Sequence, residues 1–189
     1  MKSFQDRLFK DFDVQDVKGR NGKTRRGYVY VGDYAVWNLR DDELKRHKRL
    51  YALSGLLMIA VIIWKSLIRS PINSSRFVGA FTLLSMAALI PVVMGIWGFV
   101  RAEKKMYMRD CVQTKDLILW GSTIFMILQL ATVFMGIVYM ISLGFSVWSL
   151  IVTLAGVLLA VMAFIILKAQ LKLTFLEITG EKKKEKERL

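Results

Sequence analysis

The chain has 189 residues, of which 54% are hydrophobic, and its formal net charge is +13. So apolar a composition excludes an ordinary soluble domain, because a chain this short leaves a large share of its surface in water. The charge alone would suggest nucleic acid, yet nearly every charged residue lies outside the apolar runs, which excludes that partner in favour of a membrane protein with basic aqueous segments.

Residues 1–40 form a polar N-terminal region with no early apolar stretch, so no cleavable signal is expected. Within it the pattern predicts a small β-hairpin or meander. Residues 14–20 and 23–31 flank Asn21-Gly22, a strong hairpin-turn dipeptide. Gly32-Asp33 offers a second turn before a third strand, Tyr34-Ala35-Val36-Trp37. Tyr28 and Tyr30 share one face of the second strand, and Val29 and Val31 the other. The run from Gly19 to Thr24 is glycine-flanked like a phosphate-binding loop. That motif needs a glycine five places before Gly22, where Val17 stands, so a basic hairpin turn is the simpler reading.

Asn38 or Asp41 is the expected cap of a helix that leads through Glu43-Leu44-Lys45-Arg46 into the first span, the two together covering 41–68. Asp41-Asp42-Glu43 suits a helix start, where acids favour the dipole. The uninterrupted apolar part, 50–64, is short, and it reaches full length if Lys65 snorkels to the headgroups. An outer loop, 69–76, carries Pro71 and the sequon Asn73-Ser74-Ser75; so short a loop against the membrane is a poor glycan acceptor. The second span is 77–100. A cytoplasmic loop, 101–116, holds Arg109-Asp110-Cys111, an exposed and open position for the single cysteine. The third span is 117–143, the turn 144–146 and the fourth span 147–168. The last three spans each exceed the roughly 20 residues needed to cross a bilayer and contain no charge before Lys168 at the end of the fourth. A basic tail, 169–189, ends in a helical run from Lys182 to Arg188 that is expected to fray. The fold class is therefore all-α membrane: a four-helix transmembrane bundle with a small β region at the N-terminus.

Orientation follows from the cations. Of the 28 lysines and arginines, 25 lie in residues 1–49, 101–116 and 168–189, and 3 in the segment 65–76 on the opposite side. Basic loops stay inside, so the N-terminus and C-terminus are expected in the cytoplasm of a cell inner membrane. Tyr51, Trp64, Trp97, Trp120, Tyr139 and Trp148 stand near span ends, as an aromatic belt requires.

At the turn between the last two spans, Gly144 suits the left-handed conformation that ends a helix, Ser146 suits an N-cap, and Phe145 is placed to staple onto Leu150. Thr132 and Gly136 on the third span, with Gly156, Ala160 and Ala163 on the fourth, mark close helix contacts. Two intramembrane positions are structural irregularities. Pro91 frees the carbonyl of Ala87. Gln129 must find a partner, for which that carbonyl or Ser85 is the expected acceptor, since an unsatisfied amide in hydrocarbon costs several kcal/mol.

Function is less legible. The layout resembles small multidrug exporters, but proton coupling calls for an intramembrane carboxylate and the four spans contain no Asp, Glu or His. No catalytic motif, metal-ligand set or cofactor signature is present, and His47, amid Lys45, Arg46 and Lys48, reads as solvated. What remains is a basic inner face: Arg25, Arg26, Lys45, Arg46, Lys48, Arg49, Lys104, Lys105 and Arg109, joined by Tyr28 and Tyr30. Each cation beside an anionic leaflet is worth about 1 kcal/mol. The expected role is a non-catalytic accessory or scaffold module that contacts membrane lipids and a protein partner or a second copy. The alternative is an oligomeric channel or small-solute transporter subunit.

The stretch from Tyr28 through Val31-Gly32-Asp33 to Tyr34, followed by Leu44-Lys45-Arg46 entering a span, resembles small uncharacterised four-span bacterial membrane proteins over the N-terminal half. The resemblance implies a bacterial inner membrane and brings no activity with it.

Overall fold

A computed structural model describes residues 12–18, 24–30 and 32–178, with side chains at Arg26, Tyr30 and 32–178. Among these residues are four long helices, α1 (Asp41–Leu67), α2 (Arg76–Arg101), α3 (Met108–Leu143) and α4 (Val147–Lys172). Each is long and apolar enough to cross a membrane. Five short strands accompany them: β1 (Phe12–Lys18), β2 (Thr24–Tyr30), β3 (Tyr34–Trp37), β4 (Lys105–Tyr107) and β5 (Phe175–Ile178). The Asn21-Gly22 turn, Val31 and the tail 182–188 lie outside the described residues.

The helices form an up-down ring in which α1 and α3 each pack on α2 and α4. Hydrocarbon offers no hydrophobic drive between helices, so close backbone approach holds them. At the α2–α3 seam a Cβ on Gly95 would lie 3.0 Å from the backbone nitrogen of Ile118 and 2.6 Å from its Cγ1. One on Gly121 would lie 3.0 Å from the backbone nitrogen of Val92. Between α3 and α4 the glycines make room for side chains: a Cβ on Gly136 would lie 2.6 Å from Thr153 Oγ1, and one on Gly156 2.9 Å from Val133 Cγ2. Thr132, Ala160 and Ala163 are buried beside them. Gly95, Gly98 and Gly121 are contact positions that the sequence reading had not marked.

The β region differs from a meander. β1 and β2 pair antiparallel, with Lys18 opposite Thr24. A two-residue turn at Asn21-Gly22 would instead set Lys18 opposite Arg25, so the strand register differs by one from that expectation. β3 does not continue that hairpin. It is the centre of a separate antiparallel sheet of order β4-β3-β5. Its partners come from the middle loop, where Val36 opposes Lys105, and from the segment after α4, where Trp37 opposes Phe175. A three-residue and a four-residue strand carry little local signal, and only the closed bundle brings them together.

Strand alternation turns Ala35 and Trp37 toward the bundle, each 1% exposed. Trp37 meets Phe99 edge-on at 5.2 Å and Phe175 at 6.1 Å between ring centroids. Phe99 in turn packs on Tyr51 at 5.1 Å. The sheet thus closes one end of the bundle, and it gathers the N-terminal, middle and C-terminal segments at that end.

Helix ends show further departures. Arg40, not Asn38 or Asp41, is the N-cap of α1, and its backbone N–H donates to the Glu43 carboxylate at 3.3 Å. α3 begins at Met108 rather than near 117, which buries Cys111 completely and corrects its exposed placement. Gly144 has φ 100° and ψ 155°, a region open to glycine alone and outside the left-handed helical one. Ser146 is the N-cap of α4, but through its backbone carbonyl, with no side-chain bond. At the far end the loop folds inward: Ile72 packs with Val78 and Val152. The Asn73 amide donates to the carbonyls of Lys65 and Ile68, at 2.9 and 2.8 Å.

Candidate functional site

Two regions concentrate chemistry, one inside the bundle and one at its sheet-bearing end. The interior region starts from α1. Its buried stripe is Tyr51, Gly55, Met58, Ile62 and Lys65, spaced four and three residues alternately. That spacing keeps one helix face toward the core. Lys65 therefore points inward and is 0% exposed, which corrects the snorkelling expectation. Its Nζ donates to Gln129 Oε1 at 3.1 Å, across the diagonal from α1 to α3. Gly156 leaves room for both head groups; a Cβ there would sit 3.5 Å from Nζ and 3.8 Å from Oε1.

The expected partners of Gln129 are thereby replaced. Its oxygen accepts from Lys65, and its Nε2 has no partner among the described residues. The Ser85 hydroxyl donates to Phe81 of its own helix at 2.7 Å. Pro91 lies level with Gly121, two helical turns or about 12 Å from Gln129 along α3. A second glutamine repeats the device near the other end of α1, where the Tyr51 hydroxyl donates to Gln170 Oε1 at 2.9 Å with both groups buried. Tyr51 thus leaves the aromatic belt, whereas Trp64, Trp97, Trp120 and Trp148 stay more than half exposed on the outer surface.

The sheet-bearing end carries the predicted basic face, and the structure divides its members. Lys48 is half-buried and donates to the carbonyl of Ala102, just past the end of α2. Lys104 pairs with Asp41 at 2.7 Å, tying the α2–α3 connection to the start of α1. The Tyr30 hydroxyl donates to the carbonyl of Asp33 at 2.9 Å, and its ring packs on Tyr107 at 4.2 Å and Tyr34 at 5.3 Å. Lys105 lies over the Tyr34 ring at 4.2 Å. These residues hold the end together. Arg26, Lys45, Arg46, Arg49 and Arg109 are exposed, as are Lys104 and Lys105, but the first five take no part in these contacts. Arg25 and Tyr28 lie on β2, outside the described side chains.

Grooves flank this end. One of about 770 Å³ lies between the ends of α2 and α3 and the sheet, with Tyr34, Arg101, Glu103, Lys105 and Asp110 in its wall. Another, of about 680 Å³, lies between α1 and α4 and is lined by Arg46, His47, Lys168 and Lys172 among others. The sequence reading had not singled out Arg101, Lys168 or Lys172. Their signal was their position as the last cations of helices α2 and α4, at headgroup level. Comparisons with protein-family models, curated proteins and solved structures find no match for the chain.

Proposed function

We propose that this multi-pass membrane protein is a non-catalytic accessory module of a bacterial inner membrane. Both termini lie in the cytoplasm, and the sheet-bearing end holds an acidic surface of another component beside the anionic leaflet. The observation that carries this reading is the exposed set Lys45, Arg46, Arg49 and Arg109, which makes no ion pair among the described residues and surrounds an end made rigid by the three-stranded sheet. Exposed cations that no ion pair among the described residues occupies favour an acidic partner through steering and complementarity. The distribution of 25 against 3 lysines and arginines supports the sidedness.

The test is capture of partners from membranes in mild detergent, with wild type beside a variant carrying Lys45→Glu, Arg46→Glu, Arg49→Glu and Arg109→Glu. The expected result is a reproducible acidic partner that wild type retains and the variant releases, with binding that weakens as salt rises. Retention of every partner by the variant overturns the proposal. A pore through a single copy has less support, because the described interior is filled by Tyr51, Met58, Phe99 and Phe125, each 0% exposed; the alternative is a channel formed between copies. Solute flux through proteoliposomes would reverse that preference.

A further inference from the structure

The groove beside the sheet has a charge pattern that neither topology nor a basic face accounts for. Its wall carries two cations, Arg101 and Lys105, and two carboxylates, Glu103 and Asp110. All four are exposed, and none makes an ion pair within 4.0 Å among the described residues. The cations are held by rings instead. Arg101 lies 4.1 Å from the centroid of Trp97, and Lys105 lies 4.2 Å from that of Tyr34. A ring positions a cation without neutralising it, so both charges stay available.

The groove also continues into a mostly apolar one, whose charged wall residues are Arg109 and Asp116. Gln113 and Leu117 line it and line a second groove of about 760 Å³ along α3. That second groove runs past Trp120 to Ile124 and has Pro91 of α2 in its wall. It faces outward on a helix that crosses the membrane. A polar chamber at headgroup level, joined to an apolar channel running toward the membrane interior, matches the two ends of a phospholipid.

We propose that this pair of grooves is a binding site for one phospholipid with a zwitterionic, primary-amine headgroup, of the phosphatidylethanolamine type. Arg101 and Lys105 take the phosphodiester, and charge-assisted bonds of this kind are among the strongest available. Glu103 and Asp110 take the ammonium, and an acyl chain lies along Leu117 and Ile124. The balance of charge is what selects the headgroup. A glycerol headgroup carries the same phosphodiester but no cation, so its neutral hydroxyls would leave the two carboxylates without a counter-charge. A choline headgroup carries the positive charge but has no N–H to donate to them.

The proposal does not rest on the acidic partner proposed above, although Arg109 also lines the second groove, and it tests separately. The purified full-length chain in mild detergent is mixed with equimolar phosphatidylethanolamine, phosphatidylcholine and phosphatidylglycerol of identical acyl chains, and retained lipid is read by native mass spectrometry. The expected result is retention of the ethanolamine lipid about tenfold above either of the others. Equal retention of the ethanolamine and choline lipids, or preference for the glycerol lipid, overturns the proposal in wild type without any variant. A double variant, Glu103→Gln with Asp110→Asn, is expected to lose the preference over phosphatidylglycerol while its unfolding temperature is unchanged. If that variant keeps the preference, these carboxylates do not read the ammonium and the assignment fails.

Discussion

Lys65 occupies a place where charge is costly, buried in a helix long and apolar enough to cross a membrane, with a neutral amide as the one hydrogen-bond partner of its Nζ among the described residues. Breaking such a pair leaves one group stranded, whereas replacing both partners by apolar groups of similar shape is often harmless. Gln129→Leu is therefore expected to lower stability by about 1–3 kcal/mol. The double variant Lys65→Met with Gln129→Leu should recover most of that loss, as read by thermal unfolding in detergent. Equal losses in the single and double variants would show that the pair is not coupled. The inward placement of Lys65 was legible, since it continues the stripe of Tyr51, Gly55, Met58 and Ile62 at the same spacing. Its nearness to the helix end suggested snorkelling instead. Depth along a span and direction around the helix are separate variables, and the second decided the outcome.

At the scale of elements, the bundle depends on glycines that bring backbones together. Gly95→Ala places a methyl group against the Ile118 backbone, so α2 and α3 must part or shift. Gly79 lies on the same helix with nothing within 4 Å of an added Cβ. Gly95→Ala is expected to lower the unfolding temperature in detergent, and Gly79→Ala to leave it unchanged or slightly raised, because alanine is the better helix former. Gly144 is a third case. An added Cβ there meets no neighbour, but φ 100° with ψ 155° is a conformation that side-chain-bearing residues avoid. Gly144→Ala should cost about 1–3 kcal/mol from backbone strain alone. The glycine at this turn was evident from the sequence; its backbone region was not, because that depends on how α3 and α4 meet.

Over the whole molecule, the sheet of β3, β4 and β5 fastens three distant stretches of chain to one end of the bundle. Trp37 anchors it, fully buried between Phe99 and Phe175. Trp37→Ala should cost about 3–5 kcal/mol, in line with aromatic truncations in a core. It should also make the segment after α4 sensitive to limited proteolysis. Sensitivity equal to wild type would mean that β5 is held by other contacts. The same gathering makes a topological prediction. Tags placed in the turn at Gly144 and after Leu189 should be labelled from opposite faces of the membrane. Labelling of both from one face would contradict four crossings.

The four long apolar helices and the basic segments that alternate with them were decided by the sequence alone. Each rests on a property summed over about 20 neighbouring residues, hydropathy or charge, which needs no knowledge of what the chain meets elsewhere. Tertiary structure decided the rest: the partner of Gln129, the burial of Cys111 and Tyr51, the division of the basic face into structural and exposed cations, and the sheet that takes β3 away from the predicted meander. These depend on contacts between residues far apart in the chain. A short strand or a single polar side chain has several local options of similar energy, and the packed bundle selects among them.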